Sequence, residues 1–260
     1  MLKYVDEIFT IPLIKELCTL NKRYWWILIT YAIMQLSAIV GMPLLLSLDI
    51  ELERIPGIWS MFSFTIGLVI ILFLLRPDIR NRHARSERST RGEAIRWSVI
   101  GVVLVFAAQY AAALIEMFVL GIEPGSENTE TIVEYAKAFP AFIIVISVIG
   151  PILEEIVFRL VIFGALYKRF GFWIAGFASS LVFAAVHMDF THLLVYTAMG
   201  FVFAFLYVKT GRILVPIIAH VALNLFVAIV NVLLADRLEE ILEQLDQIQQ
   251  SFITIIGGLL

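Results

Sequence analysis

Long apolar runs alternate with short charged ones along the chain. Seven runs, 25–48, 58–75, 97–120, 139–167, 172–190, 191–208 and 213–234, are long enough to cross a bilayer. A helix rises about 1.5 Å per residue, so about 20 residues cover the ~30 Å hydrocarbon core. The pattern predicts an all-α fold, a polytopic membrane bundle of seven to eight transmembrane helices with amphipathic terminal helices. The fourth run would extend roughly 43 Å as one helix, and Gly150-Pro151 lies near its middle. Proline removes a backbone donor and crowds the preceding turn, so a kink is expected there. The fifth and sixth runs are joined by a short turn around 188–191.

Both ends read as interfacial. Leu238, Ile241, Leu242, Leu245 and Ile248 recur at helical spacing, with Glu239, Glu240, Glu243 and Asp246 opposite them. That pattern suits an amphipathic helix lying on a membrane or binding a partner. The apolar run Phe252–Leu260 is too short to span alone and would re-enter or extend the helix before it. The first 24 residues mix charged and apolar positions without a small-residue cleavage site, so no cleavable signal peptide is expected. No long soluble insertion separates the runs. The expected organisation is one domain: an N-terminal part over 1–96, a core over 97–234 and an amphipathic C-terminal segment over 235–260.

Composition agrees. Apolar residues make up 61% of the chain and charged residues 16%, more apolar and less charged than soluble domains. The net charge of −3 gives no reason to expect a nucleic-acid partner. The single cysteine, Cys18, excludes an intrachain disulfide and a cysteine-cluster metal site. If the spans alternate, fifteen Lys and Arg residues share one side, seven of them between Arg76 and Arg96, against three on the other, Arg54, Lys137 and Arg237. The positive-inside rule then makes the basic side and the N-terminus cytoplasmic, most simply in a cell membrane. The Arg-rich loop reads as a solvated segment near anionic lipid.

Charges inside the fourth run need an explanation. Glu154, Glu155 and Arg159 would cost on the order of 8–10 kcal/mol if they faced lipid, so they must face the bundle interior or a wet cavity. Glu155 and Arg159 are four apart and share a helix face, so they can pair. Glu154 is rotated by about 100° and is left for another task. His187 lies late in the fifth run, and His220 and Asn224 lie four apart in the seventh. Counted from the cytoplasmic boundaries, Glu154, His187, Asn224 and His220 lie at depths of roughly 21, 22, 18 and 12 Å. Three helices thus bring polar groups to similar depths.

A carboxylate beside a histidine can hold a water and take its proton. Asn224 and His220 can donate to an oxyanion. Glu154, His187 and His220 would also suit a zinc ion with a water in its fourth position, but HExxH is absent, so zinc-bound and metal-free chemistry both stay open. Each group also has a structural reading: a Glu–Arg pair may be tolerated simply as a pair, and a membrane histidine often joins helices. Glu116 and Asn231 read as interfacial, Gln35 and Gln109 as interhelical hydrogen-bonding groups, and Asp189 and His192 as turn or capping residues. Gly176, Ala178, Ser179 and Ser180 suit close helix packing.

The stretch Pro151-Ile-Leu-Glu154-Glu155-Ile-Val-Phe-Arg159 resembles the EExxxR motif of the CAAX prenyl protease and bacteriocin-processing (CPBP, or Abi) family. Phe183-Ala-Ala-Val-His187 resembles its FxxxH motif and His220-Val-Ala-Leu-Asn224 its HxxxN motif. The resemblance implies an all-helical membrane endopeptidase of the kind that removes the last three residues of prenylated CAAX proteins, a family often described as metalloproteases. It implies Glu154 and His187 as water-activating residues, His220 and Asn224 as the oxyanion site, and Glu155 and Arg159 as supporting residues. Its substrate would be a membrane-embedded or lipidated peptide or protein. The competing expectations are a non-catalytic bacteriocin-immunity or scaffold protein of the same fold, and a transporter relaying protons through the Glu/His set.

Overall fold

The computed structural model describes residues 21–80, 88–123 and 125–234, with single residues between 237 and 249. The N-terminal segment 1–20, part of the Arg-rich loop and the closing run 252–260 lie outside the described residues. So do Leu238, Ile241 and Leu242 of the amphipathic C-terminal segment, whereas Leu245 and Ile248 are helical and exposed. Among the described residues the fold is all-helical, with no strand.

Among residues 21–234 that are described, eight helices carry the chain. They are α1 (Lys22–Leu46), α2 (Ile55–Arg80), α3 (Arg91–Val119), α4 (Glu127–Ala138), α5 (142–170), α6 (172–186), α7 (Leu193–Thr210) and α8 (Leu214–Leu233). Five of these, α1, α2, α3, α7 and α8, are each long and apolar enough to cross a membrane. The other two predicted spans correspond to α5 and α6, which meet at Gly171, where φ is +69°. Glycine reaches that conformation without the steric cost of a Cβ. Apolar side chains such as Ile39, Phe118 and Trp173 point outward, each more than 70% exposed. In water such a surface would aggregate, and in a bilayer it faces lipid.

Two features depart from the sequence reading. Residues 127–138 form a further helix, α4, too short and too charged to span. Ser126 caps it by accepting from Thr129 N at 3.2 Å. The expected kink at Gly150-Pro151 is replaced by wide π-helical turns over Val145–Ile149 and Glu155–Phe163, while the helix continues between them. A π turn can take up an irregularity without ending the helix.

Core packing follows from small residues where helices cross. The central cluster joins Ile27 and Tyr31 of α1, Ile71 of α2, Leu153 and Phe158 of α5, and Phe183 of α6. A second cluster joins Val105 of α3, Phe203 and Leu206 of α7, and Ala219 of α8. At the ends of α1 and α2 that lie toward the Arg-rich segment, Arg23 pairs with Asp78 at 3.1 Å. Arg212 fixes the start of α3 by donating to Ser89 O at 2.6 and 2.8 Å. Gly41 of α1 lies against the Trp59 ring of α2, and a Cβ there would fall 1.9 Å from it. The Trp59 indole is held in place by donating to Ser37 Oγ at 3.0 Å. Gly41→Ala should therefore displace the ring and lower stability by about 1–3 kcal/mol. The check is a lower Tm in detergent, and an unchanged Tm would contradict the packing.

Candidate active site

The site starts from a backbone irregularity. In the first π turn Gly150 N donates to Val145 O instead of Ile146 O. The next residue that could serve Ile146 O in the π pattern is Pro151, which has no N–H. That buried carbonyl therefore needs another donor. Asn224 of α8 supplies it, with Nδ2 donating to Ile146 O at 3.0 Å. The Gly-Pro pair thus sets the side chain of Asn224 from the opposite helix, and its second N–H is not spent on this bond.

The two glutamates that follow take opposite environments. Glu155 and Arg159 are fully buried. Arg159 Nε lies 3.3 Å from Glu155 Oε2. The two are an ion pair by distance, but the angle does not make an aligned hydrogen bond. The guanidinium lies over the Phe183 ring at 4.4 Å, with the Phe203 ring at 5.3 Å, contacts that favour a desolvated cation. Gly200 of α7 leaves room for it, since a Cβ there would meet Arg159 Nη2 at 3.2 Å. The predicted pairing of Glu155 with Arg159 is present.

Glu154 instead faces a cavity of about 790 Å³, as do His187, His220 and Asn224, so the structure brings these four predicted residues into the lining of one cavity. His220 links the glutamates. Its Nδ1 lies 2.9 Å from Glu155 Oε1, and its Nε2 lies 3.6 Å from Glu154 Oε2. Its ring stacks on Phe203 at 4.5 Å. Both ring nitrogens thus face carboxylates, an arrangement the sequence did not foresee. His187 places Nδ1 2.8 Å from Phe183 O. A carbonyl can only accept, so Nδ1 carries the proton and Nε2 is left as the basic nitrogen. Tyr196 of α7 stacks on the His187 ring at 4.3 Å and 29°, and Asn128 of α4 donates to its hydroxyl at 3.3 Å. Spacing rules alone would not find Tyr196, because its role arises only where α6 and α7 meet.

The possible zinc ligands do not converge. Among the described residues no three His, Cys, Asp or Glu side chains form a metal-holding group. The nitrogens of His220 are turned to the glutamates rather than to a shared point with His187. The donor set does not fit a zinc ion, and no step is routed through one.

Smaller expectations are met or changed around the cavity. Glu116, in the last turn of α3, is buried within the protein, 2% exposed. Its Oε2 meets His192 Nδ1 at 2.8 Å, and its Oε1 accepts from Val195 N at 3.2 Å, capping α7. Asp189 accepts from His192 N at 3.3 Å and from Ser126 Oγ at 2.6 Å, tying the α6–α7 turn to α4. Asp189 and His192 are thus the turn and capping residues expected. Gln35 and Gln109 line the cavity, and Gln35 donates to Tyr31 of its own helix at 3.3 Å instead of joining helices.

With this geometry in view, likeness to known proteins becomes informative. Residues 136–226 match the family described as type II CAAX prenyl endopeptidase Rce1-like. The chain is 43% identical over 248 residues to the putative membrane peptidase YdiL of Bacillus subtilis, covering 92% of this chain and 99% of that protein. The chain belongs to this family of membrane peptidases. It is also 34% identical to the membrane-embedded CAAX protease MroQ of Staphylococcus aureus, over 89% of this chain and 99% of that protein. No solved structure matches it. The family match spans Glu154, His187, His220 and Asn224.

Two outcomes test the site's construction. Pro151→Ala restores an N–H that can serve Ile146 O and free the Asn224 amide. It should leave the fold intact in detergent but lower kcat by about tenfold or more, if Asn224 meets the reacting carbonyl. His192 titrates above its usual value: burial opposes its charge, and Glu116, aided by Asp189 and the Gly125 backbone, outweighs that burial. A raised histidine contributes stability fully below its unfolded pKa, about 6.5, and loses it as pH rises through the folded value. The Tm in detergent should therefore fall as pH rises from about 6.5, and His192→Gln should flatten that fall.

Proposed function

We propose that this protein is an intramembrane endopeptidase hydrolysing a peptide bond with a glutamate-activated water. The observation that carries the reading is the shared cavity lining to which three helices contribute Glu154, His187, His220 and Asn224. In this reading a water sits between the Glu154 carboxylate and His187 Nε2. Glu154 takes a proton as the oxygen attacks the scissile carbonyl, a step typically worth 10²–10⁴ in rate. The free Asn224 N–H donates to the carbonyl oxygen as it becomes an oxyanion. The proton then passes to the departing amine, so the products are a carboxylate and an amine. His220, oriented by Glu155, shares charge with Glu154 and leaves Asn224 as the better placed of the two oxyanion donors. Arg159 balances Glu155, and Tyr196 orients His187.

Membership in a peptidase family supports hydrolysis of a peptide substrate, and the relatives' names, a membrane peptidase and a membrane-embedded protease, support a reaction carried out by a protein set in the bilayer. The basic residues on one side support a cytoplasmic N-terminus in a cell membrane. The cavity wall includes Ser126 and Asn128 on the side opposite the Arg-rich segment, so the site would open away from the cytoplasm. Glu154→Gln should reduce cleavage of a membrane peptide by about 10²–10⁴-fold while the protein stays folded in detergent. Undiminished cleavage would reject the mechanism. A cellular phenotype that survives both Glu154→Gln and His187→Ala would favour an immunity or scaffold role instead.

A further inference from the structure

Among the described residues, five carboxamides line the cavity: Gln35, Gln109, Asn128, Asn224 and Asn231. Four of them are engaged. Gln35 donates to the Tyr31 hydroxyl at 3.3 Å and Asn128 to the Tyr196 hydroxyl at 3.3 Å. Asn224 donates to Ile146 O at 3.0 Å and Asn231 to Val227 O at 2.9 Å. Gln109 of α3 has no hydrogen-bond partner among the described residues. An amide joins membrane helices only where a partner stands opposite it. Gln109 therefore meets the cavity with its oxygen and its N–H groups uncommitted.

Helix register sets its height relative to the site. Helices α3 and α8 both start beside the contact of Arg212 with Ser89 and run in parallel. A Cβ on Gly101 would stand 3.4 Å from Ala219 Cβ, and the rings of Phe106 and Phe226 meet at 5.1 Å. At about 1.5 Å per residue, these two contacts place Gln109 about 5–8 Å beyond Asn224 along the helices. That is toward the end of the cavity where Glu116 and Ser126 lie. An extended peptide advances about 3.3 Å per residue, so the separation is about two residues. A helical substrate hides its peptide bonds, so it must enter the cavity extended to be cut. Its peptide groups then lose their helical partners where lipid offers none, and each one left unpaired is costly. We propose that Gln109 is a substrate-binding residue that pairs with the main chain of an extended peptide about two residues from the scissile bond. A carboxamide both donates and accepts, so it can serve the backbone N–H and C=O of a substrate without reading its side chains.

The inference rests on the peptidase reading, and one experiment separates the two. New termini are mapped in membranes of cells making the full-length protein, either wild type or Glu154→Gln. A synthetic peptide spanning the most abundant Glu154-dependent cut is then the probe for the purified full-length protein in detergent. Gln109→Met keeps the length of the side chain and removes its hydrogen-bonding groups. It should raise KM for this peptide about threefold to tenfold, the size of one net hydrogen bond. The kcat should stay within about twofold, because the contact is made before and during the reaction alike. Replacing one peptide N–H by an ester oxygen removes a donor and weakens the adjoining carbonyl. Such a replacement about two residues from the bond should raise KM for the wild type and raise it no further for Gln109→Met. Gln109→Leu takes the same measurements if the Met variant does not fold. An unchanged KM, or an ester profile identical in variant and wild type, would overturn the role of Gln109 while leaving the peptidase reading intact. If no terminus depends on Glu154, the peptidase reading falls and this inference falls with it.

Discussion

The rest of the structure depends on keeping the Glu155 carboxylate charged inside a membrane protein. Hydrocarbon offers no water to solvate it, and a lone charge at that depth would cost about 2.5–3.5 kcal/mol even on insertion scales. The protein meets this cost from four helices. Arg159 comes from the next turn of α5, His220 from α8, and the Phe183 and Phe203 rings from α6 and α7. The ion pair is not aligned as a hydrogen bond, so the aromatic faces carry part of the guanidinium's stabilisation. Removing one partner would leave an uncompensated buried charge, a loss of about 3–5 kcal/mol. The packing of α5, α6, α7 and α8 is therefore inseparable from this cluster.

A second constraint acts through the backbone. In lipid every carbonyl needs a donor from the protein. Gly150 and Pro151 leave Ile146 O without one along the helix, and Asn224 meets it. The same substitution of side chain for backbone recurs at the rim, where Glu116 caps α7 and Ser126 caps α4. In each case a residue that looks optional in the sequence replaces a missing backbone partner.

Much of this was legible in the sequence, and the limits have physical causes. The spans follow from apolar run length, because the bilayer fixes a minimum length. The Glu155–Arg159 pair follows from four-residue spacing on a helix. The π turns were not legible, because periodicity reports only that a helix continues, and the proline pointed to a kink instead. Helix α4 was missed because it lies between the apolar runs ending at 120 and beginning at 139, where run length gives no signal. The pairing of Glu116 with His192 was not legible because the two lie 76 residues apart, beyond any local pattern. The bridging role of His220 was hidden for the same reason: spacing shows which residues share a face, not which way a ring turns.

Adjacency on one helix does not oblige two glutamates to share a fate. Rotated by about 100°, Glu155 points into the packed interior and Glu154 into the cavity. The first must be neutralised permanently, because nothing there can hydrate it. The second keeps access to the cavity, so it can exchange a proton during a reaction. His220 faces both, Nδ1 toward the buried charge and Nε2 toward the cavity-facing one. A proton gained by Glu154 is felt at once by a ring whose other nitrogen is pinned. The buried pair therefore does more than survive in the membrane: it sets the orientation of the imidazole that, in the proposed hydrolysis, would tune the Glu154 carboxylate.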